Sequence, residues 1–240
     1  MTSSTKTLLP FLVAAAVLPF RLAVADAAMV GDELPVRTIA VAPVPPVEDF
    51  SVENLGGPLD LFAGVGFLIR KSVEKDRASA LRNVFAAHSF NVEEEVSQAA
   101  LSALNDLGLD AAEGKDIQHE KDDPSEIDLK NSKTDSDKIL SLTISDVGLH
   151  SSRLSTKFFP ILTIKFELLN RKTEESEYSE SIYYGPNADA SEKDKLPVDH
   201  RFAYASFDDA MARQDELIEA YRVGIREISH LAAVHIKNLH

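Results

Sequence analysis

The sequence predicts an α+β or α/β domain in which a mixed, mostly antiparallel sheet of about four strands packs against two N-terminal helices and one long C-terminal helix. Three observations carry that expectation: a β-branched run near residue 40, a trio of later runs with strand texture, and apolar stripes of helical period on either side of the trio.

The first strand lies within Val36 to Val44, where apolar residues run almost unbroken from Ile39 onward, the mark of a strand buried on both faces. Pro45-Pro46 stops it, and Gly56-Gly57-Pro58 forbids regular structure in the loop beyond. Leu59 to Ile69 is then apolar apart from Asp60. From Ile69 onward Val73, Ala80, Leu81, Val84 and Phe85 recur at helical spacing and predict a helix ending near His88. A second helix opens on a capping box, Asn91 with Glu94, carries the stripe Val92, Val96, Ala99, Ala103 and Leu107, and stops at Gly108.

Between about residues 110 and 138 periodicity fades. The acidic residues from Glu120 to Asp137 alternate with lysines but lack the register, central Gly and closing Glu of a calcium loop, so the stretch reads as a solvated linker. Leu140 to Ser145 and Leu162 to Leu168 alternate apolar and polar residues, and Tyr178 to Tyr184 does so more weakly, which predicts three antiparallel strands ended by Gly185-Pro186. Ser206 with Asp209 forms another capping box. Beyond it Leu217, Ile218, Tyr221, Ile225, Ile228, Ala232, Ile236 and Leu239 keep helical steps. At ~1.5 Å per residue that helix approaches ~50 Å, unless Gly224 bends it, and one end would project or meet a partner.

The N-terminus gives the chain an address. Lys6, a charge-free apolar run from Thr7 to Phe20, and Ala23-Val24-Ala25 make residues 1–25 a secretory signal peptide, with a second cut after Ala27. The run is shorter than the ~20 residues a spanning helix needs, and it contains Pro10 and Pro19. Residues 26–240 are then a single α/β domain, periplasmic or secreted, with no transmembrane helix of its own. The chain has no cysteine, which excludes disulfides, a lipidated cysteine, a thiolate nucleophile and any sulfur metal site. Its formal net charge of −14 disfavours nucleic acid, whose binding depends on Lys and Arg displacing counterions.

No motif specifies a reaction. Gly64-Val65-Gly66 lacks the third glycine of the dinucleotide fingerprint, since Ile69 stands there, and Lys71-Ser72 follows Arg70 where a phosphate loop needs glycine. Small residues for a tight bend are the simpler reading. The surrounding apolar run, Leu59 to Ile69, is also a candidate contact surface for another subunit or for weak membrane contact, through Leu61, Phe62, Gly64, Val65, Gly66 and Phe67. His230 and His235 are five apart, about 140° around a helix, which is not a zinc pair, and His235 falls in the apolar stripe as a packing residue. There is no Gly-x-Ser-x-Gly elbow. Ser151-Ser152 and Ser179 with Ser181 fall at strand ends or on exposed faces. Asp208-Asp209 suits a helix N-terminus. No catalytic residue, cofactor site or metal ligand is predicted.

In layout, Thr38 to Pro43, the glycine-broken segment to Gly66, and the trio Asp137 to Gly148, Pro160 to Asn170 and Tyr178 to Gly185 resemble a group of bacterial envelope domains. These are the small periplasmic α/β domains of the curli-secretion lipoprotein and of the lipoprotein activators of penicillin-binding proteins. The resemblance spans residues 36 to 238 and rests on element order. It implies a non-enzymatic protein that assembles with, or contacts, other envelope components. This chain departs from the group in lacking the lipidated cysteine, and no functional residue carries over.

The expectation is therefore an exported, non-catalytic envelope protein working through contact with an envelope protein or through self-association. The alternative is a periplasmic small-ligand-binding module, and the third reading a hydrolase without a recognisable motif. N-terminal sequencing of the protein recovered from cells is expected to begin at Asp26 or Ala28. Recovery from cytosol with Met1 or Thr2 intact would overturn the export reading.

Overall fold

A computed structural model describes residues 38–54, 65–151, 156–186 and 194–239, with the side chains of 65–71 left aside. The expected leader, the loop expected at Gly56-Gly57-Pro58, and residues Leu61, Phe62 and Gly64 lie outside the described residues.

The sheet is larger than about four strands. It has seven, in the order β3-β1-β4-β5-β6-β7 with β2 also on β4. They are β1 (Ile39–Val41), β2 (Ser51–Glu53), β3 (Ala111–Glu113), β4 (Lys138–Ser151), β5 (Phe158–Asn170), β6 (Ser176–Gly185) and β7 (Lys195–Pro197). β4, β5 and β6 form the expected antiparallel meander. The four additional pairings, β1 with β3, β1 and β2 with β4, and β6 with β7, are all parallel. β2, β3 and β7 have three residues each, too few to show a period in sequence. Long-range pairing sets them instead.

β4 is the common partner. Its first residues take β1, in the register Val41 opposite Leu140, and its last residues take β2, with Ser51 opposite Gly148. Between those points β4 carries a bulge at Ser145, after which the inward set passes from Leu140, Leu142 and Ile144 to Val147 and Leu149. Without the extra residue, one half of the strand would turn its apolar side chains away from the core. In β5, Pro160 is tolerated for a related reason. Phe158 N–H points away from β4 to Tyr204 O, Pro160 has the same orientation, and β6 pairing begins only at Leu162, so no ladder bond is lost.

The first helix, α1 (Val65–Ala87), ends one residue short of His88, and its described side chains are buried only from Leu81 onward. The second, α2 (Val92–Asp106), has the foreseen ends: Asn91 Oδ1 accepts from Glu94 N–H at 2.9 Å, and Gly108 takes φ +80. The single C-terminal helix of ~50 Å is corrected to two pieces. α3 (Phe207–Ala212) and α4 (Gln214–Lys237) meet at Arg213, whose φ −113 and ψ 50 are not helical. Ser206 Oγ caps α3 on Asp209 N–H at 3.1 Å, while Asp209 turns back to Ala205 N–H at 2.9 Å. α4 continues through Gly224 without a break, lies across β5 and β6, and packs beside α2. Among the described residues no helix is long and apolar enough to cross a membrane.

The main core lies between sheet and helices. Inward residues such as Leu140, Leu142, Leu162, Ile164, Phe166 and Tyr184 meet Val96 and Leu104 of α2 and Ile225 and Ile228 of α4. A second, smaller core lies on the other face, where Ala40, Ala42 and Ile139 are covered by Ile117 and Ile127. The acidic stretch after α2 is thus more than a connection: it carries β3 and folds back as a plug, closed by the bridge between His119 and Ile127. This explains the unbroken apolar texture of the first strand. Ile39 and Val41 face the helices, and Ala40 faces the plug.

Gly224 tests the packing argument. Alanine there favours a helix by ~1 kcal/mol, but its Cβ would lie 2.6 Å from Tyr184 Cδ1. Tyr184 is wholly buried, so the clash wins. Gly224→Ala is expected to lower thermal stability by ~1–3 kcal/mol, read as a fall in Tm, and a raised Tm would refute the close approach.

Candidate functional site

The candidate contact residues divide at the start of α1. Val65, Gly66 and Phe67 form its first turn, so Gly64-Val65-Gly66 adjoins a helix start with neither nucleotide fingerprint. From Ser72 through Ala80 none of the side chains is buried, and Val73 is 41% exposed. In this half of α1 Ala78 and Ala80 pack against the main core, and the Arg77 guanidinium lies over Phe158 and Phe207 at 5.7 and 5.2 Å from the ring centres.

The most organised polar cluster was not foreseen. Asp146, Gly148 and His150 occupy alternate positions of β4 and so share a face, opposite the inward Val147 and Leu149. Gly148 leaves room for Ser51, whose hydroxyl would stand only 2.4 Å from a Cβ added there. That hydroxyl donates to Asp146 Oδ1 at 2.7 Å and lies 2.9 Å from His150 Nε2. Since its proton goes to Asp146, Nε2 is the donor to Ser51 Oγ, and the basic nitrogen is Nδ1, turned away from the hydroxyl. A serine nucleophile needs the reverse arrangement, with bare Nε2 facing the hydroxyl. The cluster therefore works as a latch holding β2 on β4. Burial lowers the pKa of His150, against the opposing pull of Asp146, Glu53 and Glu74.

Two other polar clusters tie elements together. His235 Nδ1 sits 2.7 Å from Glu180 Oε2, so this histidine adds a polar contact between α4 and β6 to its packing. Glu180 also accepts from Tyr178, whose phenol pKa is pushed upward by burial first and by this bond second. Lys138, 2% exposed, places Nζ 2.5 Å from Glu177 Oε2, and Asn170 Nδ2 donates to the other oxygen at 2.7 Å. A buried ammonium needs such a partner.

Ser151 is buried and bonds to Asn54 at 3.0 Å, whereas Ser179 and Ser181 are exposed on β6 and Asp208-Asp209 sit in the first turn of α3. Among the described residues no three or more His, Asp or Glu side chains are grouped to hold a metal.

One recess is a groove of ≈ 470 Å³ between α2 and α4. Its floor is Ala99, Ala103 and Ile225, its α2 wall is polar and acidic with Glu95 and Asp106, and its α4 wall carries Arg222, Arg226 and His230. An Arg222 to Glu95 ion pair of 3.2 Å bridges the walls. A second recess of ≈ 420 Å³ is framed by Phe50, Phe85 and Phe90 with Arg82 at its side.

The chain matches no protein-family model and no curated protein.

The His150 latch makes stability depend on pH. A histidine whose folded pKa is depressed contributes fully above its unfolded value of ~6.5, and the contribution is lost as pH falls through the folded value. Urea unfolding of the wild type is expected to weaken between about pH 7 and about pH 5 more steeply than that of His150→Gln. Parallel curves for the two proteins would show that the ring does not titrate on unfolding.

Proposed function

We propose that this chain is an exported, non-catalytic cell-envelope protein that works by contacting other proteins, in the periplasm or outside the cell. The observation that supports this most is α1: Val65-Gly66-Phe67-Leu68-Ile69 opens a helix of 23 residues, and from Ser72 through Ala80 no side chain is buried. An apolar segment joined to so lightly anchored a helix suits a surface completed by a partner. The leader, the acidic charge and the layout shared with envelope domains support the same reading. The apolar contact serves a protein rather than a lipid surface here, because a chain of net charge −14 gains little from anionic headgroups.

A second reading, binding of a small ligand, is favoured by the α2–α4 groove, whose volume falls in the ~300–1,000 Å³ range of ligand sites. Thermal-shift screening separates the two, since a ligand that binds only the native state raises Tm.

Val65→Asp tests the leading reading. The variant is expected to keep the wild-type Tm within about 2 °C while losing the association that light scattering and envelope pull-down detect for the wild type. Unfolding of the variant would assign Val65 to the core, and a strictly monomeric wild type that captures nothing would reject the contact function.

A further inference from the structure

The segment between β1 and β2 carries an inference of its own. β1 and β2 lie along the same edge of β4, and nine residues, 42–50, cross the interval that seven residues of β4, 141–147, occupy. The segment therefore bows off the sheet as a strap. Its exposure repeats every three residues: Val44, Val47 and Phe50 pack against the main core, whereas Pro43, Pro46 and Asp49 are exposed. Three residues per turn is the period of polyproline II, the conformation that proline favours.

Four contacts hold the strap from below. Ala42 N–H donates to Leu140 O at 2.9 Å, and His119 Nε2 lies 2.6 Å from Pro43 O. Val47 N–H donates to Glu93 Oε1 at 2.8 Å, and Arg82 reaches Glu48 O at 2.7 Å while stacking on Phe50. The strap is thus fixed before any partner arrives, and its ordering entropy is already met by the fold. What it presents outward is a ridge of two prolines one turn apart, followed by the exposed carboxylates of Glu48 and Asp49.

We infer that this ridge is a docking element for a second protein bearing a groove of aromatic side chains with lysine or arginine at one end. Aromatic grooves take prolines spaced by one polyproline turn, and the carboxylates at the C-terminal end of the strap fix the direction in which the ridge lies. The inference deepens the contact function proposed above and rests on it. It adds Pro43 and Pro46 to the contact made by the residues that open α1.

The test is photo-crosslinking in cells of the full chain, with a benzophenone side chain at position 43, 46, 65 or, on the exposed face of α2, 102. Adducts at 43 and 46 with one protein are expected, with the crosslinked peptide of that protein rich in Trp, Tyr or Phe, and none at 102. Combining Glu48→Lys with Asp49→Lys is expected to reduce the adduct at least tenfold with Tm unchanged. Adducts at 65 but not at 43 or 46 would overturn the ridge and leave the contact function standing, as would adducts at 102 as strong as those at 43. No adduct at any position would overturn both.

Discussion

Gly148 is the residue on which the rest of this structure converges. Its carbonyl accepts from the hydroxyl of Tyr221 at 2.5 Å, its backbone pairs with Ser51 of β2 and Ile161 of β5, and its missing side chain makes the space that Ser51 fills. Tyr221 is fully buried against Phe85 and Phe90, and burial drives its phenol far above its ordinary pKa, so it remains a neutral donor. One strand position thus ties α4, β2 and the C-terminal end of α1 together. A buried hydroxyl with a carbonyl partner contributes only ~1 kcal/mol net, but the same group left without one costs ~1–3 kcal/mol. The contact matters more for specifying where α4 lies than for stability.

The same economy of partners explains the sheet. β4 accepts two separate parallel strands on one side and a full antiparallel partner on the other, so its ends are covered while its middle, around Ser145, meets water. The helices cover one face and the acidic plug part of the other, where Ile117 and Ile127 close over Ala40 and Ala42. Glu177 pairs with Lys138 and Glu180 lies against His235, while Asp146 orients Ser51 beside His150, so each of these carboxylates fixes one element against another.

Legibility in the sequence followed the range of the interaction. The ends of α2 and the start of α3 were readable because Asn91 and Ser206 act within four residues of themselves. The meander was readable because alternation repeats over a whole strand. The short strands β2, β3 and β7 were not, since Ser51–Glu53 and Ala111–Glu113 acquire strand geometry only from partners far along the chain. The break at Arg213 has neither Gly nor Pro to mark it, and the helical stripe continues on both sides. For the polar latch, half the signal was present: Asp146-x-Gly148-x-His150 is a polar set at strand spacing, but Ser51 lies 95 positions from Asp146. The three-residue period of Val44, Val47 and Phe50 belongs to neither helix nor strand, and only their packing against the core gives it meaning.

The sheet's outer flank gives the acidity a second meaning. β7 covers only Tyr183 to Gly185 of β6, so among the described residues the stretch from Ser176 to Ile182 has no strand beyond it. Such a flank is a template for stacking one molecule on the next, the first step toward a fibril. The chain carries a formal net charge of −14, so a second copy approaching edge to edge is repelled as a whole. Net negative charge thus opposes the growth of a crowded solution of the protein into aggregates.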